Sequence, residues 1–155
     1  MVSIYSMRAD LAVQAVDGNV IAMVEVKNPA TLSAEDAAAI RRSLVSHSRP
    51  DWWSPFFMIV SQDTGFLWDQ RSLPPDSAPL PTAEFPMAPV VARYLPSFVG
   101  GPRLSGSQLE LAVQEWLADL AGSFDDRPHE PDVALAETGF LEMIRGGIVK
   151  AGIDL

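Results

Sequence analysis

Two carboxylates and one ammonium group stand in an otherwise apolar part of the sequence. They are Asp10, Glu25 and Lys27, and their neighbours along the chain are largely Leu, Val, Ala and Met. A charge in such surroundings costs several kcal/mol unless it is paired or coordinates a metal. Lys27 can neutralise only one carboxylate, whereas Mg²⁺ or Mn²⁺ would accept both, because a hard cation prefers oxygen ligands. The pattern therefore indicates metal-assisted hydrolysis, in which the ion polarises a phosphoryl oxygen and activates a water that a lysine orients.

A β-hairpin would bring these residues together. Two apolar runs, LAVQAV and VIAMVEV, flank Asp17-Gly18, and an Asp-Gly pair typically forms a two-residue type I′ turn. Centring the turn on this pair places Asp10 directly opposite Glu25, with Cβ atoms about 4.5–5.5 Å apart. Alternation then puts Lys27 on the same face. Moving the turn by one residue keeps the three together, but a three-residue loop would separate them unless a β-bulge compensated.

The competing interpretation is an ordinary cross-strand salt bridge on a solvated face, worth about 0–1 kcal/mol. In that case the chain would be a plain structural domain. The apolar flanks and the strand register favour the metal site instead.

Asp10 followed by Glu25-Val26-Lys27 resembles the PD-(D/E)XK nuclease superfamily, although Ala9 stands where the name implies a proline. Most of the chain looks like one family of small bacterial endonuclease-like proteins. The segments that carry this likeness are RADLAV, MVEVKN, AIRRSLVSH, SPFFMIVSQDTGFLWD, LELAVQEWLADL and ETGFLEMIRGG.

The resemblance implies a restriction-endonuclease-like α/β fold, with a mixed central sheet flanked by helices. It implies that Asp10 and Glu25 bind Mg²⁺ or Mn²⁺, with the Val26 carbonyl as a third ligand and Lys27 as the catalytic lysine. The expected substrate is DNA.

The sequence departs from the superfamily before Asp10. The superfamily core usually begins with a helix and a strand, and that helix often supplies another acidic residue. Only nine residues precede Asp10, so we expect the first core helix to be absent, truncated or replaced by another chain. A homodimer or a protein partner would then supply the missing elements.

Composition limits the class of protein. A length of 155 residues with 48% hydrophobic content predicts a single domain, 1–155, with a substantial core. The absence of cysteine excludes disulfides, Cys-ligated zinc and a thiol nucleophile. No signal peptide or membrane-spanning stretch is apparent, so we expect a cytoplasmic protein without a membrane partner.

The net charge of −9 is unusual for a nuclease, because nucleic-acid binding depends on basic residues. It favours a rival hypothesis, in which the domain is a non-catalytic nuclease-like module for protein interaction or oligomerisation.

A helix is predicted from Ser33 to about Ser48. Within it Arg41 borders the sheet, either as a phosphate contact near the active site or as a snorkelling surface arginine. Two strands, FFMIVS and GFLWD, follow. Residues 73–102 contain eight prolines and are expected to wrap over the surface, with a short helical turn near 90–94.

The C-terminal part predicts two more helices and a strand. The first helix starts at a capping box, Ser107 to Glu110, and ends at Gly122. The second is expected at about 133–145, before a final edge strand, IVKAGI. We also expect that the missing first elements leave a sheet edge unpaired, and such an edge invites pairing with a second copy of the chain.

Overall fold

The structure is a computed structural model that describes residues 8–27, 32–46, 53–71, 73, 79–98, 103–122 and 132–154. Its strands form one six-stranded sheet in the order β5-β4-β3-β2-β1-β6. Strands β2 and β3 run parallel, and the other neighbours are antiparallel. The predicted mixed α/β class is confirmed. The strands are β1 (Arg8–Gln14), β2 (Val20–Val26), β3 (Phe56–Val60), β4 (Thr64–Asp69), β5 (Ala83–Pro86) and β6 (Ile148–Asp154).

Helices cover both faces of this sheet. One face carries α1, which packs Ala37 and Ala38 against the odd-numbered core residues Met23, Phe57 and Ile59 and their neighbours. The opposite face packs against the remaining helices and holds the larger core, which includes Trp116. The helices are α1 (Ala34–Ser46), α2 (Ala88–Tyr94), α3 (Gly106–Gly122), α4 (Asp132–Ala136) and α5 (Phe140–Ile144), with a 3₁₀ turn at Pro96–Phe98.

The helix predicted from Ser33 is confirmed as α1. The Ser33 hydroxyl accepts a hydrogen bond from the Asp36 N–H at 3.0 Å, as an N-cap residue does. Its carbonyl accepts from the Ala37 N–H at 2.9 Å. This cap begins the helix that carries the chain from β2 to the parallel strand β3, a connection that parallel strands require.

The capping box of α3 lies two residues earlier than predicted. The Gln108 N–H donates to the Ser105 hydroxyl at 3.2 Å, and the Ser105 N–H donates to the Gln108 side-chain oxygen at 2.9 Å. The box is therefore Ser-x-x-Gln and starts at Ser105, not Ser107. Both spacings fit the rule in sequence, so the sequence alone does not select between them.

The predicted last helix is two short helices. Gly139, between α4 and α5, has φ of 85°, a left-handed conformation that interrupts helical geometry. The sequence prediction of one continuous helix over 133–145 is therefore wrong.

The proline-rich stretch contains an edge strand that sequence reasoning did not predict. Strand β5 pairs with β4, and its Phe85 ring occupies the space that a side chain at Gly65 would need. The short helix near 90–94 is confirmed as α2. Parts of this predicted wrap, 74–78 and 99–102, lie outside the described residues.

The predicted final strand is confirmed as β6, which pairs with β1 at one end of the sheet. Within the part of the chain that is described, no helix has both the length and the apolar character to cross a membrane.

Candidate active site

The hairpin that carries the site has a three-residue loop. The Ala15 N–H donates to the Asn19 carbonyl at 2.8 Å, and the Gly18 N–H donates to the Ala15 carbonyl at 2.9 Å. Gly18 has φ of 88°, in the region that favours glycine. The predicted two-residue turn centred on Asp17-Gly18 is therefore wrong, although the same Asp-Gly pair makes the reversal.

A β-bulge compensates for the longer loop. Val13 pairs with Ala22, but the next residue, Gln14, pairs with Val20, so Ile21 is an extra residue on β2. Beyond the bulge, Leu11 pairs with Val24. This is the register that the sequence predicted, and the next residues along the two strands, Asp10 and Glu25, interact electrostatically.

The pleat of these strands decides which face receives the charged residues. Leu11, Val13 and Val24 pack into the larger core. Side chains alternate across a sheet, so Asp10, Glu25 and the following Lys27 emerge on the face that carries α1. The structure thus places the three predicted residues on one face, at the end of two adjacent strands.

Glu25 is the buried member of the group. Only 3% of the residue is exposed, and its Oε1 atom has no hydrogen-bond partner in the described structure. Burial, and after it the Asp10 charge, raises the pKa of this carboxyl to about 7, while the Lys27 charge acts in the opposite direction. An ionised, incompletely bonded carboxylate in this position is costly and is therefore suited to receiving a cation.

Asp10 is anchored to the backbone of the neighbouring strand. Its Oδ2 atom accepts a hydrogen bond from the Val26 N–H at 2.8 Å. The carbonyl of a strand residue leaves on the same edge as its N–H, since paired residues exchange both bonds. The Val26 carbonyl therefore points towards β1, the strand of Asp10, which agrees with the third-ligand role that the resemblance implies.

Lys27 lies at the rim of the group. Its Nζ is 3.7 Å from Glu25 Oε2, and its side chain is 34% exposed, against 5% for that of Glu25. The Lys27 N–H donates to the Val60 carbonyl at 2.8 Å, which fixes the backbone on the parallel neighbour β3. The ammonium can therefore reach solvent while its backbone is held by the sheet.

The donor set is small. Among the described residues, no group of three or more His, Cys, Asp or Glu side chains lies close enough to hold a metal. Two carboxylates and a backbone carbonyl nevertheless suit Mg²⁺, which binds few protein carboxylates and keeps several waters. The unpartnered Glu25 oxygen is the observation that fits such an ion.

Arg41 occupies a different environment. Only 2% of it is exposed, so the snorkelling interpretation is wrong. Its Nε donates to the Gln70 side-chain oxygen at 3.0 Å, its Nη2 donates to the same atom, and its guanidinium lies 5.9 Å from the Trp68 ring centre. Both partners belong to the β4 side of the sheet, two strands from Glu25. A phosphate contact by Arg41 remains a prediction that its burial disfavours.

Two polar residues near these features were not singled out from the sequence. Gln70 is buried and links Arg41 to the chain before β3, because its amide nitrogen donates to the Ser54 carbonyl at 2.9 Å. The sequence predicts only that Lys150 lies on an edge strand, whereas the strand pairing places it on the face that carries Asp10. Its sequence signal is that the chain contains one lysine besides Lys27.

Comparison with family models, with curated proteins and with solved structures found no match in any of the three.

Proposed function

We propose that this chain is a metal-dependent nuclease of the PD-(D/E)XK type that hydrolyses phosphodiester bonds in DNA. The observation that carries the proposal is the buried Glu25 carboxylate, which lies beside a second carboxylate and has an oxygen with no hydrogen-bond partner among the described residues. A structural salt bridge does not need an orphaned buried oxygen, and it does not need two carboxylates for one lysine. A divalent cation would relieve both features.

The topology supports a restriction-endonuclease-like arrangement. The Asp10 strand is antiparallel to the Glu25 strand, and a crossover through α1 leads to the parallel strand β3. A strand preceding the Asp10 strand would pair most simply along the edge of β1 that β2 leaves open. That edge is occupied by β6, from the C-terminal part of the chain. The fold therefore supplies a neighbour for the Asp10 strand without a second chain.

Each residue has a defined task in the proposed reaction. Asp10 and Glu25 hold the cation, with the Val26 carbonyl as a further oxygen ligand. When bound, the cation would polarise the phosphoryl oxygen and lower the pKa of a bound water. Lys27 orients the attacking water and stabilises the negative charge that develops on the phosphate.

The competing proposal is a non-catalytic nuclease-like module that docks a protein or oligomerises. The net charge of −9 favours it, because the long-range field repels nucleic acid. The two proposals differ in metal binding, since a docking module has no need of a cation at Glu25.

The first prediction is metal-dependent cleavage. Single- and double-stranded DNA would be incubated with Mg²⁺ or Mn²⁺ and with the wild type, Asp10→Asn or Lys27→Met. We expect the wild type to cut, and each variant to lose at least about 100- to 1000-fold of the rate, the scale seen when one charge-stabilising group is removed. Binding of Mn²⁺, followed by its electron paramagnetic resonance signal, should be weakened by Asp10→Asn and largely kept by Lys27→Met.

The matched control is Asp63→Asn, because Asp63 is an exposed carboxylate and its ion pair with Arg103 is long at 4.0 Å. It should cut like the wild type. Cleavage that survives both site variants would assign the activity to another site or to a contaminant. A folded wild type that neither cuts nor binds Mn²⁺ would favour the docking module.

A further inference from the structure

The chain contains only two lysines, Lys27 and Lys150, far apart in sequence. The remaining nine basic residues are arginines. Lys27 belongs to the candidate site, and the fold brings Lys150 to the same part of the sheet. Strand β6 pairs with β1, and Lys150 lies directly opposite Ala12.

The pairing determines the face on which Lys150 emerges. Its neighbour Val149 lies opposite Val13 and packs against the larger core. Alternation therefore directs Lys150 to the other face, which it shares with Asp10 and Ala12. On that face Lys150 is the diagonal neighbour of Asp10, at a Cβ separation of about 7–8 Å that long side chains can span.

The position beside Asp10 on β6 has no side chain. The pairs Leu11–Ala151 and Ala9–Ile153 place Gly152 opposite Asp10. Gly152 has φ of 64°, so other residues are disfavoured there. Strand β6 therefore presents a glycine directly opposite Asp10, and Lys150 is the same-face residue two positions before it.

The two lysines have different electrostatic roles. Lys27 lies 3.7 Å from Glu25 and offsets a carboxylate. Lys150 is exposed and forms no ion pair with any residue that the structure describes. A polyanionic substrate approaching two carboxylates on a chain of charge −9 requires a cation that is not already engaged. Among the residues whose side chains are described, Lys150 is a cation that the strand pairing places near Asp10.

We propose that Lys150 binds a backbone phosphate of the nucleic acid, next to the phosphodiester that is cleaved. The proposal rests on the proposed nuclease function. It makes Lys150 a substrate-binding residue rather than a catalytic one, and it gives β6 a direct part in the site. The substrate strand would then run across the Asp10–Glu25 end of the hairpin towards the β6 edge.

The two-lysine composition allows a direct test. The full chain would be acetylated briefly with and without a short oligonucleotide, in Ca²⁺, which takes the same oxygen ligands as Mg²⁺. Mass spectrometry of the peptides would report each lysine separately. We expect the oligonucleotide to protect both Lys27 and Lys150 severalfold.

Protection of Lys27 alone would overturn the assignment of Lys150 and leave the proposed nuclease standing. Protection of neither lysine, together with a wild type that does not cut, would overturn both proposals. The two failures are therefore distinguishable.

A kinetic test separates phosphate binding from a structural role. Lys150→Gln should raise KM about tenfold with kcat little changed, and it should reduce the salt dependence of binding by about one phosphate contact. Lys150→Arg should restore most of the affinity. The control is Arg42→Gln, which removes an exposed charge from α1 and should leave KM and the salt slope unchanged. An unchanged salt slope in Lys150→Gln would refute the proposal.

Discussion

Among the described residues, two charged side chains, Glu25 and Arg41, are almost completely buried on the α1 side of the sheet, and their surroundings differ in kind. Arg41 donates two hydrogen bonds to Gln70, which is itself tied to the Ser54 carbonyl. Glu25 has one carboxylate oxygen with no hydrogen-bond partner in the described part of the chain, and its pKa is raised to about 7. The hydrogen bonds of Arg41 offset the cost of burying its charge. The buried Glu25 carboxylate lacks full compensation, as expected of a group that binds a ligand.

Removing the satisfied charge should have the largest effect on stability. Arg41→Met leaves the buried Gln70 oxygen without its donors, and we expect it to lower the free energy of unfolding by about 3 kcal/mol. Urea denaturation measures this value. The loss should be similar at pH 6 and pH 8, and with or without Mg²⁺.

The neighbouring exposed residue supplies the control. Arg42→Met should change the free energy of unfolding by no more than about 0.5 kcal/mol. If Arg41→Met were equally mild, the contrast between the two buried charges would fail, since Arg41 would contribute no more than a surface residue.

Removing the Glu25 charge should raise the free energy of unfolding, whereas removing the Arg41 charge should lower it. The raised pKa means that folded Glu25 prefers its proton, so its contribution is favourable below the unfolded pKa near 4.5 and is lost as pH rises through about 7. Glu25→Gln removes this loss and should stabilise the metal-free protein at pH 8 by about 2–3 kcal/mol. The gain should disappear near pH 4.

Thermal unfolding across this pH range measures the difference between wild type and Glu25→Gln. Glu35→Gln, at an exposed position in the first turn of α1, is the matched control and should preserve the wild-type slope. A Glu25→Gln variant that is less stable at pH 8 would show that the carboxylate is already well compensated.

Adding Mg²⁺ should have the smallest effect on stability, and it tests whether the cation binds at Glu25. At a Mg²⁺ concentration about ten times its Kd, we expect stabilisation of the wild type by about 1.4 kcal/mol. The effect should be greater at pH 8 than at pH 6, since a proton on Glu25 competes with the metal. Differential scanning calorimetry measures it.

Stabilisation by Mg²⁺ should be absent in Glu25→Gln and Asp10→Asn, and retained in Arg42→Met. Equal stabilisation of Glu25→Gln and wild type would place the ion elsewhere.

Part of the candidate site could be predicted from the sequence. Hydrophobic alternation and the Asp-Gly pair predicted the hairpin and the shared face of Asp10, Glu25 and Lys27. The predicted two-residue turn was wrong, but the predicted strand register is present. The bulge at Ile21 compensates for the one-residue shift that the three-residue loop introduces. Strong burial on one face explains this outcome, since a slip by one residue would turn every apolar side chain outwards.

Local signals were least reliable where two alternatives satisfy the same rule. Ser105 and Ser107 each precede a glutamine or glutamate at the right spacing, and only the hydrogen bonds of the folded chain identify Ser105 as the cap. The break at Gly139 was missed for a related reason, because a single glycine within a helical pattern is often tolerated.

The sequence by itself determined the mixed α/β class, the hairpin with its charged face, helices α1 and α3, and the buried strands, because these follow from periodicities within short stretches. Tertiary structure decided which strand pairs with β1, which buried charge is satisfied and where Lys150 lies. Pairing of β6 with β1 joins residues more than 130 positions apart, and no local pattern encodes such a contact. The hydrogen bonds of Arg41 and the missing partner of Glu25 likewise depend on segments that meet only in the folded chain.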